Sequence, residues 1–177
     1  MDFRFEIMTE VSINKQARLS QHFTLGELCK TSAKTQDGNI PSHVHIENLK
    51  RLCGWLEMLR SEWNKRYGEG DDPIIINSGY RSEAVNKAVG GVKGSNHLIG
   101  CAADIRVAGM EQALRYAVIL LDISDERQRV GDGTSGMSRE DFDELLLERS
   151  PRGTYWLHFA VRPPSQENRR RIRFIQT

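Results

Sequence analysis

An apolar stripe at helical spacing runs from about His43 to Tyr67 and dictates much of what this chain can become. Ile46, Leu49, Leu52, Cys53, Leu56, Leu59 and Trp63 fall on one face, with charged residues mostly on the other. A helix of that length extends about 35 Å. Its stripe has to be buried against another layer.

Strand patterns concentrate later in the chain. IIIN at 74–77 reads as a buried strand and CAADIRV at 101–107 as a second. FDELLLE at 142–148 and YWLHFAV at 155–161 read as two more. Pro151 and Gly153 lie between them, as in a hairpin. Among shorter elements, FRFEI at 3–7 alternates like a strand, and FTLGEL at 23–28 opens a short helix through roughly Lys30. Thr24 caps that helix, Glu27 closes a capping box, and Phe23 and Leu28 form the staple. Residues 31–40 read as a loop turning at Asp37-Gly38. SEAVNKAV predicts a short helix with Val85 and Val89 on one face. Residues 110–121 predict another, with Leu114, Ala117, Val118 and Leu121 on a face. SDERQRVGDGTSG follows as a polar connection whose front can remain helical. The basic tail ENRRRIRFIQT reads as solvated or as a final edge strand. Helices early and strands late give an α+β fold. We expect one domain over 1–177, with helices on one side of an antiparallel sheet and the tail from about 165.

The 177 residues suffice for a core without disulfides. Hydrophobic residues at 38% and charged residues at 28% disfavour wholesale disorder. A net charge of +1 gives no argument for a nucleic-acid partner. Cys29, Cys53 and Cys101 form no CxxC pair and suit a reducing compartment. No signal-peptide core or membrane-spanning run is visible, so we expect a chain made in the cytoplasm without a membrane anchor.

Chemistry is concentrated around two of five histidines. His97 lies among glycines in GSNHLIG, and Asp104 follows seven residues later in CAADIRV. An acid in a buried strand needs hydrogen bonds, a cation or a metal. His158 lies in YWLHFAV and shares its direction with Trp156 and Ala160. Two histidines and a carboxylate are the ligands of a catalytic zinc site, with a fourth position for water. Spacing alone leaves another reading open: a loop histidine, an aspartate paired with Arg106, and a satisfied strand histidine.

FTLGEL, IENLKRL at 46–52, INSGYRSEAVNKAVGG at 76–91, SNHLIGCAADI at 95–105, FDELLLE and WLHF at 156–159 occur in an order that resembles the zinc peptidases of family M15. The similarity is to the compact branch of that D-alanyl-D-alanine carboxypeptidase and phage endopeptidase group. It implies Zn2+ on His97, Asp104 and His158, carried by the antiparallel sheet. It implies that Arg81 orients substrate and stabilises the reacting oxygen. Ser95 would hydrogen-bond near the site or cap a turn, Trp156 would shape the cleft, and Tyr80 and Cys101 would pack behind it.

Many relatives carry an acid three positions before the last histidine ligand, where this chain has Tyr155. A phenol is poorly matched to water activation at neutral pH. Glu148 is the replacement base, sharing a strand face with Glu144 and Leu146. Asp143 or Glu144 would take that role in another register. The resemblance implies hydrolysis of a peptidoglycan stem peptide, at a terminal D-alanine or internally, including an L-alanyl-D-glutamate link. A phage or prophage lytic factor, released to the wall by lysis or an accessory protein, fits it. The alternative is a non-catalytic protein that keeps the fold and binds wall peptides or a virion partner.

Overall fold

The computed structural model describes residues 13–130 and 141–176. The FRFEI pattern and residues 131–136 of the polar connection lie outside the described residues. Helix α1 (Leu25–Leu28) starts as its sequence dictates: Thr24 accepts from the Glu27 amide, and the Glu27 carboxylate accepts from the Thr24 amide at 2.9 Å. Helix α2 (His43–Arg66) buries Leu49, Leu52, Cys53, Leu56, Leu59 and Trp63, as its stripe requires. Strand β1 (Ile76–Ser78), helix α3 (Glu83–Ala88) and strand β2 (Ala102–Arg106) follow. Helix α4 (Met110–Val130) leads to strands β3 (Glu144–Arg149), β4 (Tyr155–Ala160) and β5 (Arg171–Gln176).

The five strands form one sheet in the order β1-β2-β4-β3-β5. The first four pair antiparallel, and β3 and β4 form the expected hairpin. The sheet is not wholly antiparallel, because β5 runs parallel to β3 on the outer edge. The cause lies just upstream. β4 ends with Ala160 opposite Glu144, at the end where β3 begins; residues 161–170 cross over at that end, and the Arg170 and Arg171 amides bond to the Phe142 and Asp143 carbonyls. The tail therefore takes the edge-strand form.

Period-two alternation gives the sheet two unlike faces. Ala103, Ile105, Leu145, Leu157 and Phe159 point to the side covered by helices and belong to the core. Trp55 of α2 packs on Phe159 with ring centroids 5.4 Å apart, and Trp63 meets Tyr116 of α4 edge-on at 4.8 Å. Three expectations need correction. Ile74 and Ile76 are buried but Ile75 is exposed, because β1 is a short, irregular edge strand. Val89 is exposed because it caps the C-terminus of α3 rather than continuing its apolar face. In α4 the buried stripe is Ala113, Tyr116, Ile119, Leu120 and Ile123, while Leu114 and Val118 face outward. The helix continues to Val130, and Tyr116 and Ile123 set the inward face one position away from the expected stripe.

Candidate metal centre

The open face of the sheet gathers the site. Cross-strand register sets Asp104 opposite His158 and His158 opposite Leu146. His97 reaches the same place from a 3-10 turn over Asn96–Ile99. Gly100 ends that turn with φ +71, and a Cβ there would lie 2.6 Å from the His45 carbonyl oxygen. Only glycine combines that backbone with that close approach. The SGYRS segment closes the other side. Gly79 lies so near Leu28 that a Cβ would meet its carbonyl oxygen at 2.3 Å, and the Arg81 amide donates to the His97 carbonyl at 3.1 Å.

His97, Asp104 and His158 bring one ligand atom each to within 4.8 Å of one another. All three residues are buried. His97 Nδ1 lies 2.6 Å from the Gly79 carbonyl, which can only accept, so Nδ1 carries a proton. In the neutral ring the Nε2 lone pair then faces Asp104 Oδ1 at 3.2 Å. A lone pair against a carboxylate oxygen is unfavourable unless a cation or proton lies between them. Burial pushes the His97 pKa down, which disfavours the proton even though Asp104 opposes the shift. The donor set therefore fits a metal ion such as zinc.

His158 faces acids at both ring nitrogens. Nδ1 lies 2.9 Å from Asp104 Oδ1, and Nε2 lies 3.4 Å from Glu144 Oε2. Burial pulls its pKa down, but Asp104 and Glu144 outweigh that and raise it to about 9. Burial pushes the Asp104 carboxyl up, while His97 and His158 more than reverse this and hold it well below the usual range. Arg81 Nη2 bonds to Asp104 Oδ2, and Arg81 Nε donates to Ser78 Oγ at 2.8 Å. Arg81 thus occupies the outer oxygen of Asp104 and leaves Oδ1 turned to the histidines.

Glu148 lies opposite Trp156, two residues from the Leu146–His158 pair on the same face. Burial pushes its carboxyl above the ordinary value. His158 and Arg81 pull it down, while Asp104 and Glu144 add to the rise. Trp156 stands between Arg106 and Glu148 in register. Tyr155 has the opposite parity and packs against the core, so its hydroxyl is no substitute for an acid on the site face. Ser95 takes the capping role, accepting from the His97 amide at 3.3 Å. Tyr80 is buried and stacks on His45, and Cys101 is a buried thiol pushed up to about 12 by burial.

The two alternative acids have other partners. Asp143 is fully buried beneath Arg169, Arg162 and Asn96. Glu144 accepts from Asn96 Nδ2 at 2.9 Å and from Arg169 Nη2 at 2.8 Å. Sequence reasoning did not foresee Asn96 and Arg169. The available signal was the acidic doublet 143–144 with three arginines at 169–171.

The sequence profile of the peptidase M15 family matches residues 21–126, more than half of the chain. That stretch contains Arg81, His97 and Asp104; His158 and Glu148 lie beyond it and join the site through the sheet. A zinc D-Ala-D-Ala carboxypeptidase from Streptomyces albus G is 31% identical over 84 residues, which cover 48% of this chain. The match spans 31% of that protein's length. With the M15 signature extending through the first two metal-binding side chains and the strand pairing supplying the third, this chain belongs to the peptidase M15 family.

Proposed function

We propose that the protein is a zinc-dependent peptidase that hydrolyses a peptide bond in bacterial peptidoglycan, as a D-alanine carboxypeptidase or an endopeptidase. The observation that carries this reading is the buried His97 Nε2 lone pair, fixed by the Gly79 carbonyl and aimed at Asp104 beside His158. Its substrate class follows from the M15 membership and from what the Streptomyces relative's name says it acts on.

His97 Nε2, Asp104 Oδ1 and His158 Nδ1 would hold the ion. When bound, zinc supplies Lewis-acid polarisation of the scissile carbonyl and activation of water. Glu148 takes the proton of the attacking water and returns it to the leaving amine. Its raised pKa brings its proton affinity closer to that task. Arg81 holds Asp104 in place and borders the position where negative charge develops on the carbonyl oxygen. Trp156 lies on the same sheet face beside Glu148, and we assign it one wall of the substrate cleft. Ser95 caps the turn that carries His97. The alternative of a binding protein without catalysis is less well supported, because Glu148 shares the site face with His158. Among the described residues no helix is long and apolar enough to cross a membrane. Release by lysis or an accessory protein would bring the enzyme to the wall.

The test is digestion of purified peptidoglycan by protein of known zinc content, with products read by mass spectrometry. We expect a new peptide terminus that disappears on chelation and returns with zinc. Bound zinc without a new terminus, across several wall chemistries, would replace this reading with the binding protein.

A further inference from the structure

We infer that Glu144 is a positioning residue for the metal centre: it accepts the Nε2–H of His158 and thereby turns the Nδ1 lone pair toward the metal. The inference rests on the zinc reading above and adds a part to it.

His158 Nε2 is buried and makes no hydrogen bond among the described residues. The Glu144 carboxylate faces it at 3.4 Å, so the contact is in place while the bond itself is not closed. An imidazole that gives Nδ1 to a metal carries its proton on Nε2. A buried N–H of that kind is costly without an acceptor. A carboxylate acceptor fixes the tautomer, orients the ring and raises the basicity of the ligating nitrogen.

The surroundings of Glu144 are built to hold it there. In register Glu144 lies opposite Ala160, not His158. Alanine at 160 and at its partner 102 leaves room for the longer side chain to lean diagonally toward His158. Asn96 binds Oε2 at 2.9 Å and Arg169 binds Oε1 at 2.8 Å, with Arg171 Nη1 at 3.6 Å from Oε1. With both oxygens held by donors, Glu144 is poorly placed to exchange protons with substrate and well placed to orient a neighbour.

Arg169 is itself fixed by Asp143, which receives its amide, Nε and Nη2. The flanking residues anchor the same segment. The Asn168 side chain accepts from the Arg162 amide at 2.8 Å, and Arg170 pairs with Asp125 and Asp141. The NRR run after β4 therefore reaches the metal centre through Arg169, Glu144 and His158.

Zinc affinity measured by competition with a chromophoric chelator tests this, together with the visible absorption of the cobalt(II)-substituted protein. Glu144→Ala is expected to weaken zinc about 10- to 100-fold and shift the cobalt bands. Glu144→Gln, which keeps an acceptor oxygen, is expected to fall between it and the wild type. Wild-type affinity and an unchanged cobalt spectrum in Glu144→Ala would overturn the inference while leaving the zinc reading intact. If Glu144→Ala fails to fold, Arg169→Lys decides instead: it retains a cation for Asp143 but loses the fork that reaches Glu144. Weaker zinc with altered cobalt bands supports the inference, and no change in either overturns it. Failure of the wild type itself to take up zinc would bring down both readings.

Discussion

Neighbouring residues of β4, His158 and Phe159, face opposite sides of one sheet and obey different rules. Phe159 is fully buried between Trp55 and Phe142, where volume and shape decide the fit. His158 is almost as buried, yet it lies among Asp104, Glu144 and the field of Glu148, where partners decide whether burial is tolerable at all. The helix-covered face stabilises the fold through apolar area. The open face concentrates charge that the fold has to hold in place. Alternation along each strand keeps the two tasks apart, so a shift of one residue in register would exchange them.

The sharpest way to separate the faces is His158→Ala. It should abolish stoichiometric zinc binding and metal-dependent hydrolysis, exceeding the 10- to 100-fold cost of losing a group behind a ligand. Metal analysis and circular dichroism on the same sample check it. A folded variant that still binds one zinc tightly would remove His158 from the ligand set.

Glu148→Gln should lower kcat by about 10²- to 10⁴-fold with zinc retained, if a proton is moved there. It carries a second expectation of opposite sign. Burial raises the Glu148 pKa in the folded chain, so the native state binds more protons than the unfolded state between the ordinary carboxylate value and the raised one. Stability from this group therefore falls as pH rises through that window and stays lower above it. Replacement by Gln removes that loss, so the metal-free variant should melt higher than wild type at neutral pH and converge with it in acid. Thermal melts against pH decide it; a variant that melts lower at neutral pH would place a stabilising partner on Glu148.

On the other face, Phe159→Ala should cost about 3–5 kcal/mol of stability. Zinc stoichiometry per folded molecule should hold, as read by denaturant titration and metal analysis. A selective loss of zinc in well-folded protein would show that the faces are coupled through β4.

Much of this arrangement was legible because local chemistry and global fold agree. The Thr24 and Glu27 capping box, the α2 stripe and the β3–β4 hairpin each needed only residues close in sequence. The trio His97, Asp104 and His158 was legible through the resemblance to the M15 peptidases, since residue type and spacing alone left an ordinary loop histidine, paired aspartate and strand histidine open. Register made the assignment of Glu148 to the site face possible, since Glu144, Leu146 and Glu148 alternate with the core positions. What stayed hidden depends on distant pairing. The Arg169 contact with Asp143 and Glu144 spans about 25 residues of chain and needs β5 to enter parallel to β3. The inward face of α4 depends on where the sheet lies, and Leu114 and Val118 look as apolar in sequence as Ile119 and Leu120.

The smallest expected effect is at Tyr155, where the two faces are easiest to confuse. The family resemblance implies an acid three residues before the last histidine, and position 155 is the counterpart here. Tyr155 shares parity with Leu157 and Phe159, packs against the core and lies 5.7 Å beneath the Arg149 guanidinium. Its hydroxyl has no part in the proposed proton transfer, so Tyr155→Phe should change stability by no more than about 0.5 kcal/mol. It should also leave kcat close to wild type. Tyr155→Glu extends the test, because it restores the relatives' acid at a position that points the other way. In a cycle of wild type, Glu148→Gln, Tyr155→Glu and the double variant, the new carboxylate should not rescue Glu148→Gln. A double variant clearly faster than Glu148→Gln at equal zinc content would mean that an acid at 155 reaches the attacking water. β4 would then have to twist enough to serve the site from both parities, and the division of labour between the faces would fail at the strand where it is drawn most sharply.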